Sequence, residues 1–176
     1  MSEPRGIASR AAYRPSTETD LEAIRHIEAL SYHGAGDGLS KRLLDGPERT
    51  LSFVAEIGSL VVGHVLLTRI EGPERALALA PLAILPDWRD MQIGTSLVRH
   101  ALTAARNDGW NAVFAYGLPD YYCRFGFRSD LADPAATVFQ GPRFLALELH
   151  QGALDGWSGP LDFPAGYRTI SDAIHR

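Results

Sequence analysis

With 176 residues, 45% of them hydrophobic, the chain carries enough apolar side chain for one full-sized core and needs no covalent or metal staple. Its formal charge of −4, from 17 basic against 21 acidic residues, argues against a general affinity for nucleic acid or an anionic membrane, since both demand a basic face. The lone Cys123 can form no internal disulfide or cysteine-based metal site, and no apolar run reaches the roughly 18 residues of a membrane span, so a reducing, cytoplasmic setting is expected.

Residues 1–10 lack the apolar stretch of a secretory signal and are expected to form a flexible tail, leaving 11–176 as a single domain. A short strand is expected at 11–14. Thr17 then offers an N-cap hydroxyl with Asp20 three residues on, and Leu21, Ala23, Ile24, Ile27 and Leu30 draw an apolar stripe along a helix. Gly34, Gly36 and Gly38 break that helix into a loop. A second short helix covers Leu39 to Leu44. Two β segments follow, 51–57 and 60–70, joined at Gly58-Ser59, and a third runs over 76–85. Pro81 falls inside this third strand. It lacks the donor that a paired strand needs, which predicts a bulge or a splayed edge there. Residues 94–108 give the clearest helical pattern, with Val98, Ala101, Leu102 and Ala105 on one face and Gly109 at the stop. A strand at 111–116, a helical turn at 119–124, a strand at 144–149 and another near Leu161 complete the chain.

The segment from Leu79 to Ser96 holds the strongest chemical signal. A strand runs through Leu82, Ala83 and Ile84, and a polar loop of Arg89, Asp90, Met91 and Gln92 leads into a helix through Ile93, Gly94 and Thr95. Such a loop presents unpaired backbone N–H groups at the positive end of a helix, which suits an anion such as a pyrophosphate. Every helix start carries free donors, so the residues alone also fit an ordinary strand–helix turn.

This segment resembles the coenzyme-A-binding motif of the GNAT superfamily of N-acetyltransferases, Arg/Gln-x-x-Gly-x-Gly/Ala at the head of a long helix. Arg89 takes the first motif position, Gln92 stands where the family has its first glycine, and Gly94 is the second. The segment Tyr121-Tyr122-Cys123-Arg124-Phe125-Gly126-Phe127 is similar to the family's Tyr-x-x-x-Gly-Phe signature, and 144–157 resembles one bacterial branch. The likeness spans roughly 11–165. The resemblance implies a single-domain α/β (α+β) fold with a mixed, mostly antiparallel sheet, flanked by helices and splayed at its central strands. It implies acetyl-CoA as co-substrate, no metal, and transfer to a primary amine of a small molecule or peptide by direct attack in a ternary complex. A homodimer is compatible with it.

Under that resemblance the backbone of Leu82, Ala83 and Ile84 pairs with the pantetheine arm as an added strand would, and Arg89 to Thr95 cradle the pyrophosphate. Tyr122, four residues before Gly126, protonates the departing thiolate, and an N–H near Pro81 and Leu82 stabilises the oxyanion. Cys123 reads as a small packing residue, and Trp88 and Trp157 as packing residues at element ends. The base is open among Glu56, His64, Glu71, Asp87, His33 and Asp37, or water. His64 also reads as a sheet-filling residue. The acceptor site is expected between the loop 32–41 and the C-terminal segment. Where the family has an asparagine after the next strand, this chain has Gly117-Leu118-Pro119. Gln92 leaves a second reading, a non-catalytic acetyl-CoA sensor, and transfer of a longer acyl group is a third.

Overall fold

The computed structural model describes residues 6–32 and 38–170. In chain order the elements are α1 (Ile7–Arg10), β1 (Ala12–Pro15), α2 (Leu21–Ser31), α3 (Leu39–Leu44), β2 (Thr50–Ile57), β3 (Leu60–Ile70), β4 (Ala76–Ile84), α4 (Ile93–Asn107), β5 (Ala112–Tyr116), α5 (Pro119–Tyr122), β6 (Ala135–Ala136), β7 (Phe144–Glu148) and β8 (Gly159–Pro160). The main sheet has six strands in the order β1-β2-β3-β4-β5-β7, antiparallel throughout except where β4 meets β5. The mixed, mostly antiparallel α/β architecture expected from the sequence is the one observed. Among the described residues no helix is long and apolar enough to cross a membrane.

Strand residues alternate between two cores, as the two-residue side-chain period requires. Val65, Leu67, Leu77, Leu79, Val113 and Ala115 pack against Leu97, Val98, Ala101 and Ala105 of α4. Leu66, Ala78, Phe114 and Phe144 face the opposite way, toward Leu39 and Leu43 of α3 and the C-terminal Leu154, Leu161 and Tyr167. Because β3 is covered on both faces, it reads as a nearly continuous apolar run.

Three expectations need correction. The stretch taken for a flexible tail is helical from Ile7, with Ala8 fully buried and its carbonyl accepting the Tyr13 hydroxyl at 2.8 Å. The α2 stripe is rotated from the one expected. Ile24 and Ile27 are buried together with Glu28, whereas Leu21 and Leu30 are exposed, because at 100° per residue 24, 27 and 28 share the inward face. The late strand near Leu161 is the two-residue β8, which pairs with β6, and Leu161 itself only donates its N–H to Ala136.

The start of α2 is fixed by charge. Arg14 donates to both oxygens of Asp20, at 2.8 and 2.9 Å, and to Glu56 at 2.7 Å. Hydrogen bonding to the Arg14 guanidinium holds the Asp20 carboxyl down at about 2. Asp20 also accepts the Thr17 N–H at 2.8 Å, so the expected cap works through the aspartate at the N-terminal turn.

Candidate active site at the split of the sheet

The anticipated disturbance at Pro81 is the feature that opens the sheet. Leu67 pairs with Leu79 and Val65 with Leu82, so Ala80 and Pro81 together oppose the single Leu66 as a bulge. On the other side, β4 and β5 pair only at Ala76↔Ala112, Leu77↔Val113 and Ala78↔Phe114. Beyond Ala78 the two strands diverge, and the polar edge of β4 is left facing the gap.

Which backbone groups line that edge follows from register. Leu85 donates its N–H to Val62, so residues 85 and 83 turn their polar groups toward β3, and 84 and 82 turn theirs away. The two carbonyls on the outer side confirm this orientation. That of Leu82 accepts the Tyr32 hydroxyl at 2.6 Å, and that of Ile84 accepts Arg89 Nε at 3.1 Å. Leu82 and Ile84 therefore present the gap with backbone donors, but Ala83 does not. It pairs with His64 inside the β3–β4 ladder, so its expected role in the same edge is corrected by strand alternation.

After Ile84 the chain passes a short helical turn at Pro86–Trp88, then reaches the head of α4. Asp90 and Gln92 both have positive φ, 61° and 63°. This left-handed region favours glycine and costs roughly 1–2 kcal/mol for other residues. The value at 92 explains why the resembling motif has glycine there. Glutamine keeps the required backbone shape, and its side chain lies exposed. The helix start has no side-chain cap and no acidic residue in its first turn, and the first internal bond runs from Ser96 N–H to Gln92. The N–H groups of Ile93, Gly94 and Thr95 thus lack intrahelical partners at the positive end of a fifteen-residue helix. Ile93's side chain is buried in the α4 core and acts as an anchor, while Asp90 and Met91 are exposed.

Arg89 is exposed and folds back on the strand end, donating to Ile84 and, through Nη2, to Ser31 Oγ at 3.2 Å. Sequence reasoning did not single out a second cation here, Arg124. Its Nη1 lies 3.4 Å from Thr95 Oγ1, and its guanidinium sits 4.5 Å from the centre of the Tyr121 ring. The signal was its place inside the Tyr-x-x-x-Gly-Phe segment, which does not reveal that this turn folds over the α4 N-terminus.

The neighbouring tyrosines part company. Burial pushes the Tyr121 phenol up, and the nearby Thr95 side chain partly offsets the rise. Tyr122 lies edge-on to Phe127 at 5.4 Å, and burial, with Tyr32 and Tyr121 nearby, pushes its phenol well above the usual tyrosine value. A Cβ at position 117 would come within 2.6 Å of the Tyr122 ring, so Gly117 is what lets that ring settle where it does. This gives a physical reason for glycine where the resembling family has asparagine. Cys123 is exposed instead of packed. Trp88 and Trp157 pack against the two cores as expected.

Between the diverging strands lies a cavity of about 330 Å³. Leu79, Ala80 and Pro81 form one wall and Phe114, Ala115 and Tyr116 the facing one, with Tyr32, Leu39 and the C-terminal Phe139, Phe163 and Tyr167 completing it. The expected acceptor loop reaches it through Tyr32 and Leu39. His33 and Asp37 fall outside the described residues, and Lys41 points away, paired with Asp45. Of the other candidate bases, Glu56 is held by Arg14, Glu71 pairs with Arg69 at 2.8 Å, and Asp87 is exposed. None of them lines the cavity. His64 is 1% exposed, bonds Ser52 Oγ at 2.9 Å, and is lowered to about 4 by burial, so it fills the sheet as a neutral group.

A split sheet whose free strand edge runs into an uncapped helix defines an α/β domain with unpaired backbone donors along one edge and at one helix start. Comparison with known proteins gives this class a family. The sequence profile described as the Acetyltransferase (GNAT) family matches residues 19–127. The chain is 32% identical over 125 residues to the uncharacterized N-acetyltransferase YjhQ of Escherichia coli K12, covering 66% of this chain and 68% of that one. Its fold is similar to that of the GNAT family N-acetyltransferase YhbS of Escherichia coli, solved in complex with CoA, with a TM-score of 0.84, 25% identity, and 90% and 92% of the two chains covered. A GNAT family acetyltransferase from Brucella melitensis, solved with acetyl-CoA, shares the fold at a TM-score of 0.74 and 24% identity, covering 89% of this chain and 97% of that one. The chain belongs to the GNAT family of acetyltransferases.

Proposed function

We propose that this protein is an acetyl-CoA-dependent N-acetyltransferase that moves the acetyl group onto a primary amine by direct attack within a ternary complex. The observation that carries the reading is the continuity of donors from the outer edge of β4, at Leu82 and Ile84, to the N–H groups of Ile93, Gly94 and Thr95. An extended pantetheine arm laid along that edge ends with its pyrophosphate at the helix N-terminus, where the dipole and the Arg124 guanidinium favour negative charge.

In this reading the thioester sits at the bulge. The amine nitrogen attacks the carbonyl carbon, a C–N bond forms, and the oxyanion is met by the Leu82 N–H, a preorganised donor worth roughly 3 kcal/mol. The C–S bond then breaks, Tyr122 gives its proton to the departing sulfur, the ammonium proton leaves to solvent, and the tyrosinate regains a proton from solvent. Burial keeps the Tyr122 phenol protonated at neutral pH but makes it a weaker acid than the thiol it would serve, so in this reading its placement and not its acidity makes it the donor. The products are the amide and free CoA.

Calorimetry with acetyl-CoA, followed by steady-state turnover with a panel of amines, tests the proposal. Uptake of acetyl-CoA with turnover supports it. Uptake with thermal stabilisation and no turnover on any amine would favour the sensor reading, and no uptake at all removes both.

A further inference from the structure

Where the sheet opens, the outward carbonyls of β4 are fastened by side chains in place of a strand. β5 leaves β4 after the pair Ala78↔Phe114, and the bulge at Ala80 and Pro81 interrupts the ladder to β3 just before Leu82. Leu82 is thus the first residue past the bulge, with a neighbouring strand on one side only. The end of α2 meets it from the other side. Tyr32 donates its hydroxyl to the Leu82 carbonyl at 2.6 Å, and the Tyr32 N–H returns to the Glu28 carbonyl at 2.8 Å, so the phenol projects from a fixed helix end. One step along, Arg89 Nε donates to the Ile84 carbonyl and its Nη2 to Ser31 Oγ, which ties the same turn of α2 to the next outward carbonyl. Burial pushes the Tyr32 phenol up, so the hydroxyl keeps the proton that it donates. The same residue lines the cavity.

We propose that Tyr32 is a positioning residue for the transfer, holding Leu82 so that its N–H stays aimed at the thioester oxygen. The inference rests on the acetyltransferase reading and adds to it a residue that acts through another. In an extended residue the N–H and the C=O point to the same side of the strand, so a bond that fixes the direction of one fixes that of the other. Ladder bonds do this within a paired strand. Past the bulge, Tyr32 does it from outside. Neither neighbour can substitute for Leu82, because Pro81 has no N–H and Ala83 turns its own into the ladder with His64. An oxyanion donor works by being aimed before charge develops, and a displacement of about 1 Å can cost roughly a hundredfold in rate. The hydroxyl bond to Leu82 therefore bears on the transition state more than on the binding of acetyl-CoA.

The experiment is Tyr32→Phe, which removes one hydroxyl and keeps the ring in the cavity wall. Calorimetry gives acetyl-CoA affinity, and hydrolysis of acetyl-CoA without any amine gives a rate, read as CoA formed at saturating donor. In that reaction water attacks the thioester carbonyl and acetate and CoA leave, so the same oxyanion forms with no amine in the cavity. Hydrolysis and the kcat for any amine that the unmodified protein acetylates are expected to fall together, about tenfold, with acetyl-CoA affinity within a factor of two or so. A loss confined to amine transfer overturns the proposal and assigns Tyr32 to the acceptor. Tighter acetyl-CoA binding with unchanged rates also overturns it, because the hydroxyl then only competes with the pantetheine arm for the Leu82 carbonyl. Carbon-13 NMR of that carbonyl supplies a readout without turnover. Its resonance is expected to move on Tyr32→Phe in the free and the CoA-saturated protein alike, and movement in the free protein alone overturns the proposal. An unmodified protein that takes up no acetyl-CoA, or turns it over with neither water nor an amine, removes the acetyltransferase reading and this inference with it. Uptake and turnover that Tyr32→Phe leaves untouched count against Tyr32 alone.

Discussion

The two sides of the opening in the sheet are built on different principles. The proposed coenzyme side is made of backbone: the outer edge of Leu82 and Ile84, the left-handed turn at Asp90 and Gln92, and the bare N-terminus of α4, all within fourteen consecutive residues from 82 to 95. The proposed acceptor side is a cavity lined mainly by side chains, gathered from Tyr32 and Leu39, from Ala78 to Pro81 of β4, from β5, and from Phe139 to Ile170. Backbone donors depend on dihedral angles that a few neighbouring residues can hold, and Gln92 holds the left-handed angle that favours glycine there. A ring-lined cavity depends instead on side-chain volumes brought together from distant segments.

The sharpest test of that difference is Phe139→Ala. Phe139 is 4% exposed and touches Tyr116, Phe144, Phe163 and Tyr167, so its truncation is expected to cost about 4 kcal/mol of stability by denaturant unfolding, while acetyl-CoA affinity of the folded protein stays within a factor of two or so. A parallel collapse of donor affinity would show that the two sides are one unit.

The next effect concerns the strand behind the donor edge. His64, opposite Ala83, is lowered from the ordinary 6.5 to about 4 by burial, so the unfolded chain binds more protons between those values. Its contribution is complete above pH 6.5 and is lost as pH falls toward 4, by roughly 3 kcal/mol over the window. His64→Gln removes the titrating group and is expected to flatten the stability curve there. A curve that keeps its slope would place the acid sensitivity elsewhere, and Asp20 does not supply it in that window because its contribution is lost only as pH falls from 3.8 toward about 2.

In the proposed chemistry, Tyr122→Phe is expected to lower kcat about a hundredfold and to leave donor affinity nearly unchanged. Equal turnover at every pH would remove Tyr122 from the chemistry. The smallest effect is on the coenzyme side. Gln92→Gly relieves the left-handed strain but adds freedom to the unfolded chain, for a net change of about 1 kcal/mol or less, with acetyl-CoA binding preserved or tightened. A large loss of affinity on calorimetry would reveal the glutamine amide as a ligand contact and break the idea of a purely backbone site.

Apart from α1 and the two-residue β6, the order of strands and helices, the long helix over 94–108, the disturbance at Pro81 and the donor-rich turn before Gly94 were readable from neighbouring residues. Each depends on local periodicity, on a missing N–H, or on a helix terminus, and these are properties of short stretches of chain. Tertiary structure alone decided the rest. It set Ala83 inside the ladder because register with β3 chooses which residues face outward, and it rotated α2 so that Glu28 and not Leu30 is buried. It also laid Tyr122 on Gly117, folded Arg124 over Thr95, and drew rings from residues 114 to 167 into one cavity. These contacts join residues far apart in sequence, and only the packed sheet brings them within reach of each other.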